Sequence, residues 1–339
     1  MTGTRVLLVA SAAPDEGGGH LARALAVAQA LVELGAEVSL QLRRGSTTAA
    51  QRAVLASQGV SFTTGDARAP DAHDVVVVDV PDPGEVARRF DASRLVAFDD
   101  GDRLRDPAAV VVQPSLPAWR GSARVGRVLA GYEWAPIRVG LLSLSHGPVG
   151  ATPAGLLVCF GASDPADVAA RVVPEVAKAV HEARLTRDGV VTGSAIATTV
   201  IVGAGYRGRL ESGAAWDVLR DPSDIDARLA APRLALIGAG TMKFELAVLG
   251  VPTLTLAVAD DQLAGGPGFA ATGASRFLGD GRTLEPRRVV EAVVALLADE
   301  RALKAMRSAA RAAVDGHGAR RLAEVILEVG RASPSCPES

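Results

Sequence analysis

The feature that most limits what this chain can fold into is a set of short apolar runs that do not alternate. Val75–Asp79 (VVVVD) is the clearest, and Arg5–Ala10, Leu156–Phe160, Thr199–Val202, Leu234–Ile237 and Thr253–Ala259 are similar. A strand with one wet face alternates apolar and polar side chains, so an unbroken run of strand length implies cover on both faces, as in a parallel sheet. Helical patterns separate the runs. After the first comes Gly17-Gly18-Gly19, then a helix from His20 to about Leu34, with Leu21, Leu25, Ala28 and Leu31 on one face and Gly35 as its stop. Strands are further expected at Glu37–Leu42, Val60–Thr63, Arg94–Phe98 and Ala109–Gln113, with a helix near Thr48–Gln58. Regular alternation of this kind makes the first half a parallel α/β sheet.

A stretch rich in Gly, Ser and Pro, residues 138–155, predicts a linker. The alternation then restarts. Leu156–Phe160 leads through Gly161-Ala162-Ser163-Asp164-Pro165 into a helix over Asp167–Glu182, and Thr199–Val202 is followed by Gly203-Ala204-Gly205. Helices are expected near Pro286–Leu297, Asp299–Val314 and Ala319–Val329. The domains are therefore placed at 1–137 and 156–318, with the 319–330 helix packing back on the first, and Arg331–Ser339 is expected to be a disordered tail. A length of 339 residues suits two domains, each with its own core.

Composition narrows the partners. With 36 basic and 38 acidic residues, a formal charge of −2 gives no electrostatic case for nucleic acid or anionic membrane. No run approaches the ~18 apolar residues of a membrane span. Cys159 and Cys336 imply no disulfide framework, which fits a reducing cytoplasm. The opening TRVLLVASAAP is of strand length and leads into a helix, which argues against a signal peptide. His73, His146, His181 and His317 stand in no metal-ligand spacing, and neither metal nor cofactor is expected.

The residues from Gly238 to Gln262 carry the strongest chemical pattern: a Gly-Ala-Gly turn, Thr241 as helix N-cap, a helix over Met242–Leu249, Gly250 as its stop, then a strand ending in Asp260-Asp261-Gln262. A turn without bulky side chains lets a ligand approach the backbone, and the first amides of a helix offer free N–H groups to an anion. Glu245, one turn further on the same face, could accept hydrogen bonds from both hydroxyls of a ribose. The plainer reading is a βαβ unit with a glutamate near a helix N-terminus. In the first half His20 heads a helix after a glycine loop, with Asp15 and Glu16 just before it. Histidine suits a general base because its ordinary pKa, about 6.5, lies near working pH. Asp79, ending a buried strand, is a candidate for substrate contact or for strand capping, and Asp99-Asp100 are read as a turn pair.

Taken together, Gly17-Gly18-Gly19-His20, Leu129-Ala130-Gly131-Tyr132-Glu133-Trp134, Phe160–Pro165 and Gly238–Gln262, with Asp315–Ala319 as a weaker fifth match, resemble the UDP-sugar hydrolase of pseudaminic acid biosynthesis (PseG/SpsG-like). That family is a relative of GT-B glycosyltransferases such as the lipid-II-forming enzyme. The resemblance implies a GT-B fold, two Rossmann-like parallel-sheet domains facing each other across a cleft. It implies that His20 is the catalytic residue, with Gly18 and Gly19 in its loop. UDP would be held by Gly238, Gly240 and Thr241, with Glu245 on the ribose and the backbone of Gly161 to Ser163 on the diphosphate. Asp261 and Gln262 would touch the sugar. The implied reaction adds water at the anomeric carbon and releases UDP and free sugar. Three positions depart from the family pattern: Ala162 replaces a glycine, Asp261 replaces an asparagine, and Val80-Pro81-Asp82-Pro83 lacks the family's His and Tyr. A glycosyltransferase with another acceptor and a non-catalytic nucleotide-sugar binder remain alternatives.

Overall fold

The structure, a computed structural model, describes residues 3–13, 16, 18–45, 47, 52, 55–57, 59–65, 73–116, 121–145, 154–183, 186–187, 190–191 and 196–332. The helix expected over Thr48–Gln58, Asp15, Gly17, His146 and residues 333–339 of the expected tail lie wholly or mostly outside them. The chain divides into two compact units, Met1–Arg138 with Gly316–Ser339, and Val139–Asp315.

In the first unit seven parallel strands are ordered β3-β2-β1-β4-β5-β6-β7. They are β1 (Arg5–Ala12), β2 (Glu37–Gly45), β3 (Ser61–Thr64), β4 (Val75–Asp79), β5 (Leu95–Phe98), β6 (Ala108–Gln113) and β7 (Val125–Ala130). The unbroken valine run now has its reason. Val75 and Val77 join Val6 and Leu8 beneath the Gly19–Glu33 helix and the last helix, Gly318–Ala332, while Val76 and Val78 join Leu7, Val9 and Val86 on the opposite face. Side chains alternate across a strand, so a strand covered twice must be apolar at every step. Asp79 is its first polar residue and is also buried.

The second unit repeats the plan with β8 (Leu156–Cys159), a short antiparallel pair β9 (Thr186–Arg187) and β10 (Val190–Val191), then β11 (Thr198–Val202), β12 (Trp216–Arg220), β13 (Leu234–Gly238), β14 (Thr253–Ala257) and β15 (Ser275–Asp280). Its six-stranded sheet is parallel throughout, in the order β12-β11-β8-β13-β14-β15. The Val168–Glu182 and Pro286–Ala298 helices share one core with β8, β11, β13 and β14, through Val172, Val176, Val289 and Val293 among others.

Several elements differ from expectation. The strands β7, β12 and β15 lie at sheet edges and have mixed burial, so they present no unbroken apolar run. Val139–Ser145, expected as linker, is a helix within the second unit. Arg331, expected in the tail, lies in the final helix, Gly318–Ala332. Asp260-Asp261-Gln262, expected to end a strand, opens a helix over Asp260–Ala270. Gly265, Gly266 and Pro267 mask that helix in the sequence, yet Gly266 is required by packing: a Cβ there would lie 2.5 Å from the Phe277 ring.

The last helix meets the rest of its unit at close range. Arg321 Nη1 donates to the Glu133 carbonyl at 3.0 Å. A Cβ on Gly318 would lie 2.7 Å from the carbonyl carbon and 2.8 Å from the nitrogen of Ala135, and nearer still to its oxygen. Alanine normally gains up to ~1 kcal/mol over glycine in a helix, but backbone atoms cannot move aside as a side-chain tip can. Overpacking, typically ~1–3 kcal/mol, therefore wins. Gly318→Ala is expected to lower unfolding free energy by about 2 kcal/mol, read as a lower urea midpoint at unchanged slope.

Candidate active site

Both sheets reverse their winding between two central strands, β1 and β4 in the first unit and β8 and β13 in the second. Open α/β sheets bind ligands beyond the strand C-termini at such a switch point. The chemically notable residues of each unit gather there.

In the first unit His20 is the second residue of the helix after β1, and Asp79 is the last residue of β4. His20 Nδ1 lies 2.7 Å from Asp79 Oδ1. Arg23, one turn further along the helix, forks onto the same carboxylate: Nε donates to Oδ2 at 2.9 Å and Nη2 to Oδ1 at 2.6 Å. Its Nη1 pairs with Asp100, and its guanidinium lies 4.9 Å from the Phe98 ring centroid. Arg23 and Asp79 are 4% and 2% exposed, whereas the His20 side chain is 18% exposed.

This geometry sets the imidazole tautomer. Arg23 Nη2 also lies 3.1 Å from His20 Nδ1, which taken alone would make Nδ1 an acceptor. The shorter contact decides, because an ionised carboxylate can only accept. Nδ1 carries the proton and donates it to Asp79, leaving the Nε2 lone pair open. Burial alone would raise the Asp79 pKa, but the Arg23 charge, then His20 and the hydrogen bonds from both, bring it below the ordinary 3.8. Burial likewise disfavours charge on Arg23, and Asp100 and Asp79 more than reverse this. Asp79, read from its position in the sequence as a candidate for substrate contact or strand capping, directs its carboxylate to His20 and Arg23. Both its oxygens face protein partners in the interior.

The neighbouring acids divide. Asp99 takes the amides of Arg103 and Leu104 at 2.7 and 3.0 Å, the expected turn role. Asp100, expected to share it, joins Arg23 instead. Glu16 pairs with Ser11 and Arg44. Gly18 precedes the helix with right-handed dihedrals and Gly19 is its first residue, and no side chain caps that end. Arg23 does not stand out in the sequence; its only signal is a charge three residues after His20 on a face otherwise buried.

In the second unit the Gly238–Thr241 turn follows β13. Neither Gly238 nor Gly240 has positive φ, and a Cβ on either would meet neighbours at ordinary contact distances of 3.4 Å or more. The protein's own packing does not demand glycine at either position. Thr241 occupies the N-cap position as expected, but with helical dihedrals (φ −66°, ψ −26°) and no side-chain cap bond. An N-cap side chain reaches its amide from extended backbone, so the expected capping is absent. Among the described residues the amides of Gly240, Thr241 and Met242 donate to no protein acceptor.

Gln262 borders the turn. Its Oε1 accepts from Val258 N at 3.1 Å, and its Nε2 lies 3.4 Å from where a Gly240 Cβ would be. Asp261 is exposed on the first turn of the Asp260–Ala270 helix. Beside the turn, the loop after β8 bends at Gly161 (φ 96°), and Asp164 caps the next helix by accepting from Val168 and Ala169 at 3.0 and 2.7 Å. Ser163 in that loop is partly exposed. Burial pushes the Cys159 thiol up to about 11, against a Gly161 amide that faces its sulfur; the Glu245 and Asp164 charges raise it further. Glu245 thus lies within electrostatic reach of β8 and its loop. Lys243, equally inconspicuous in the sequence, is 1% exposed, with its ammonium against the carbonyls of Ala239 and Gly240 at 2.8 and 3.2 Å.

Among the described residues no cluster of three or more His, Cys, Asp or Glu side chains is placed to hold a metal ion, and no helix is long and apolar enough to cross a membrane.

No protein-family model matches the chain, and no curated protein matches it in sequence. Solved structures do. MurG of Acinetobacter baumannii is 17% identical with a TM-score of 0.57, covering 96% of this chain and 99% of its own. Anabaena HepE, solved with UDP-glucose, is 13% identical with a TM-score of 0.60, covering 96% and 99%. The UDP-GlcNAc 2-epimerase of Neisseria meningitidis, solved with UDP-GlcNAc, is 11% identical with a TM-score of 0.61, covering 96% and 100%. The chain therefore has the α/β GT-B fold, with two Rossmann-like parallel-sheet domains.

The Asp79 linkage gives a test. A carboxyl whose folded pKa is depressed adds stability above its unfolded pKa and loses it as pH falls through the folded value. Removing one partner of a buried pair typically costs ~3–5 kcal/mol, and Asp100 still compensates Arg23. Asp79→Asn is expected to cost about 3 kcal/mol at pH 7. The gap from wild type should narrow as pH drops below 3.8, measured by denaturant unfolding across pH.

Proposed function

We propose that this protein is an enzyme acting on a nucleotide sugar, UDP-linked, and that it splits the sugar–phosphate bond by water attack at the anomeric carbon. The observation that carries this reading is the turn after β13. Three successive amides, Gly240 to Met242, have no acceptor among the described residues, beside glycines that the packing does not require. Such a turn suits a diphosphate, whose charge settles on main-chain donors without any reorganisation of the site. Glu245 would take the ribose hydroxyls, the loop at Gly161–Ser163 would add to the diphosphate site, and Gln262 and Asp261 would border the sugar.

His20 supplies the other half of the reaction. With Nδ1 committed to Asp79, Nε2 is free to take a proton from water as it attacks, and the Asp79 carboxylate stabilises the imidazolium that forms. UDP departs as a good leaving group held by amides, so strong protonation is not needed. Inversion at the anomeric carbon follows from attack opposite the leaving group. The same His20 geometry serves a sugar hydroxyl as acceptor, and the likeness in fold to the calicheamicin glycosyltransferase CalG4 supports this second reading, a glycosyltransferase.

One experiment tests the reading and separates the two acceptors. A panel of UDP-sugars is incubated with and without acceptor alcohols, and UDP release is followed for wild type and His20→Ala. Hydrolysis predicts release without acceptor, reduced ~10²–10⁴-fold in the variant, the usual worth of a general base. Release that requires an acceptor selects transfer. Binding without turnover under any condition defeats both. Gly240→Ala is expected to leave the melting temperature within a degree or two, since its Cβ meets only ordinary contacts, while weakening UDP binding in calorimetry. Equal affinity would remove this turn from the phosphate site.

A further inference from the structure

We propose that Lys243 is the positioning residue of the Gly238–Thr241 turn, and that its buried ammonium aims the turn's amides at a diphosphate. The inference deepens the function proposed above and rests on it for the identity of the ligand. A lysine inside a protein is costly unless its donors are met, and here two contacts are to consecutive peptide carbonyls, Ala239 O at 2.8 Å and Gly240 O at 3.2 Å. Phe244 adds its ring face, with Nζ 4.3 Å from the centroid. The residue is 1% exposed, so its role is exerted inward, on the turn.

Peptide geometry turns those contacts into a direction. In a planar trans peptide the C=O and the following N–H point opposite ways. With the Ala239 carbonyl drawn onto Lys243, the Gly240 N–H points away from it. With the Gly240 carbonyl drawn the same way, so does the Thr241 N–H. These are two of the three amides that donate to no acceptor among the described residues. Gly240, Thr241 and Met242 are partly exposed, while Lys243 and Phe244 are buried. One side of the turn is therefore held by an interior cation, and the other presents donors to solvent.

No side chain caps this helix end, since Thr241 makes no cap bond. The same ammonium that fixes the planes also places positive charge beneath them, which favours an anion on the open side. Lys243 does not touch the ligand in this arrangement. It acts through the backbone.

The test replaces Lys243 by Met, a buried side chain of similar length without the charge. Three probes are titrated into wild type and Lys243→Met: UDP, inorganic pyrophosphate and uridine, the last followed by ligand-observed NMR. Melting temperature is recorded for both proteins. The expected result is a tenfold or greater loss of affinity for UDP and pyrophosphate, with uridine unchanged. A folded variant that binds UDP and pyrophosphate as wild type does overturns the proposal, as does a parallel loss for uridine.

A measurement on wild type covers a variant that fails to fold. Adding pyrophosphate should move the Gly240 and Thr241 amide resonances, and unmoved resonances at saturation overturn the assignment. Wild type that binds none of the three probes overturns both this inference and the nucleotide-sugar reading. Wild type that binds pyrophosphate and UDP in a Lys243-dependent way but turns over no UDP-sugar defeats the catalytic reading and supports this one.

Discussion

Two sheets covered on both faces leave no room for polar chemistry except at strand ends, and this constraint governs the rest of the molecule. Val75 to Val78 are buried at every step, and Asp79 comes where the strand runs out. A carboxylate there is still inside the protein. Burying a lone charge is far costlier than one hydrogen bond can offset, so Asp79 requires a cation at close range. Arg23 meets that need with a fork that satisfies both oxygens, and its remaining terminal nitrogen goes to Asp100. A planar guanidinium does this where an ammonium could not, because it offers parallel donors in fixed geometry. The result is a rigid acceptor at the winding switch, against which His20 has one orientation.

The second unit solves the same problem with main chain. At its switch point the polar groups are amides and carbonyls of the Gly238–Thr241 turn, and the charged side chain, Lys243, sits behind them. The adjacent loop after β8 carries backbone strain in a confined space: Gly161, Asp164 and Asp167 all have positive φ, at 96°, 39° and 48°. Such conformations cost a non-glycine residue ~1–3 kcal/mol. Asp164 offsets its share by taking two helix amides, and Asp167 accepts from the Tyr206 hydroxyl at 2.5 Å. Strain is thus held in place by bonds that also start the Val168–Glu182 helix.

The central strands are legible in the chain because an unbroken apolar run of that length, bounded by glycine turns, suits little besides a strand covered on both faces. The edge strands are not, since β12 and β7 bury only part of one face and alternate irregularly. The helix over Asp260–Ala270 is hidden by its own Gly-Gly-Pro, residues that local propensity assigns to loops and that packing against Phe277 overrides. At the sites, His20 and the Gly238–Thr241 turn stand out because a glycine turn feeding a helix leaves backbone amides open to an anion, and because histidine suits acid–base work. Arg23 and Lys243 do not, because a charge on a helix is ordinarily a solvated one. Only three-dimensional neighbours reveal that these two point inward. The pairing of Asp79 with His20, 59 residues apart in sequence, depends on β4 lying beside β1, which no local pattern encodes.

The side chains around His20 fix which nitrogen the imidazole presents. Asp79 takes Nδ1 at 2.7 Å, so the nitrogen turned toward an incoming group is Nε2. Asp79 is in turn fixed by the Arg23 fork, and Arg23 by Asp100. The orientation therefore belongs to the whole set of side chains: without Asp100 the guanidinium loses the partner on its far nitrogen, and the carboxylate that aligns the ring is held less firmly.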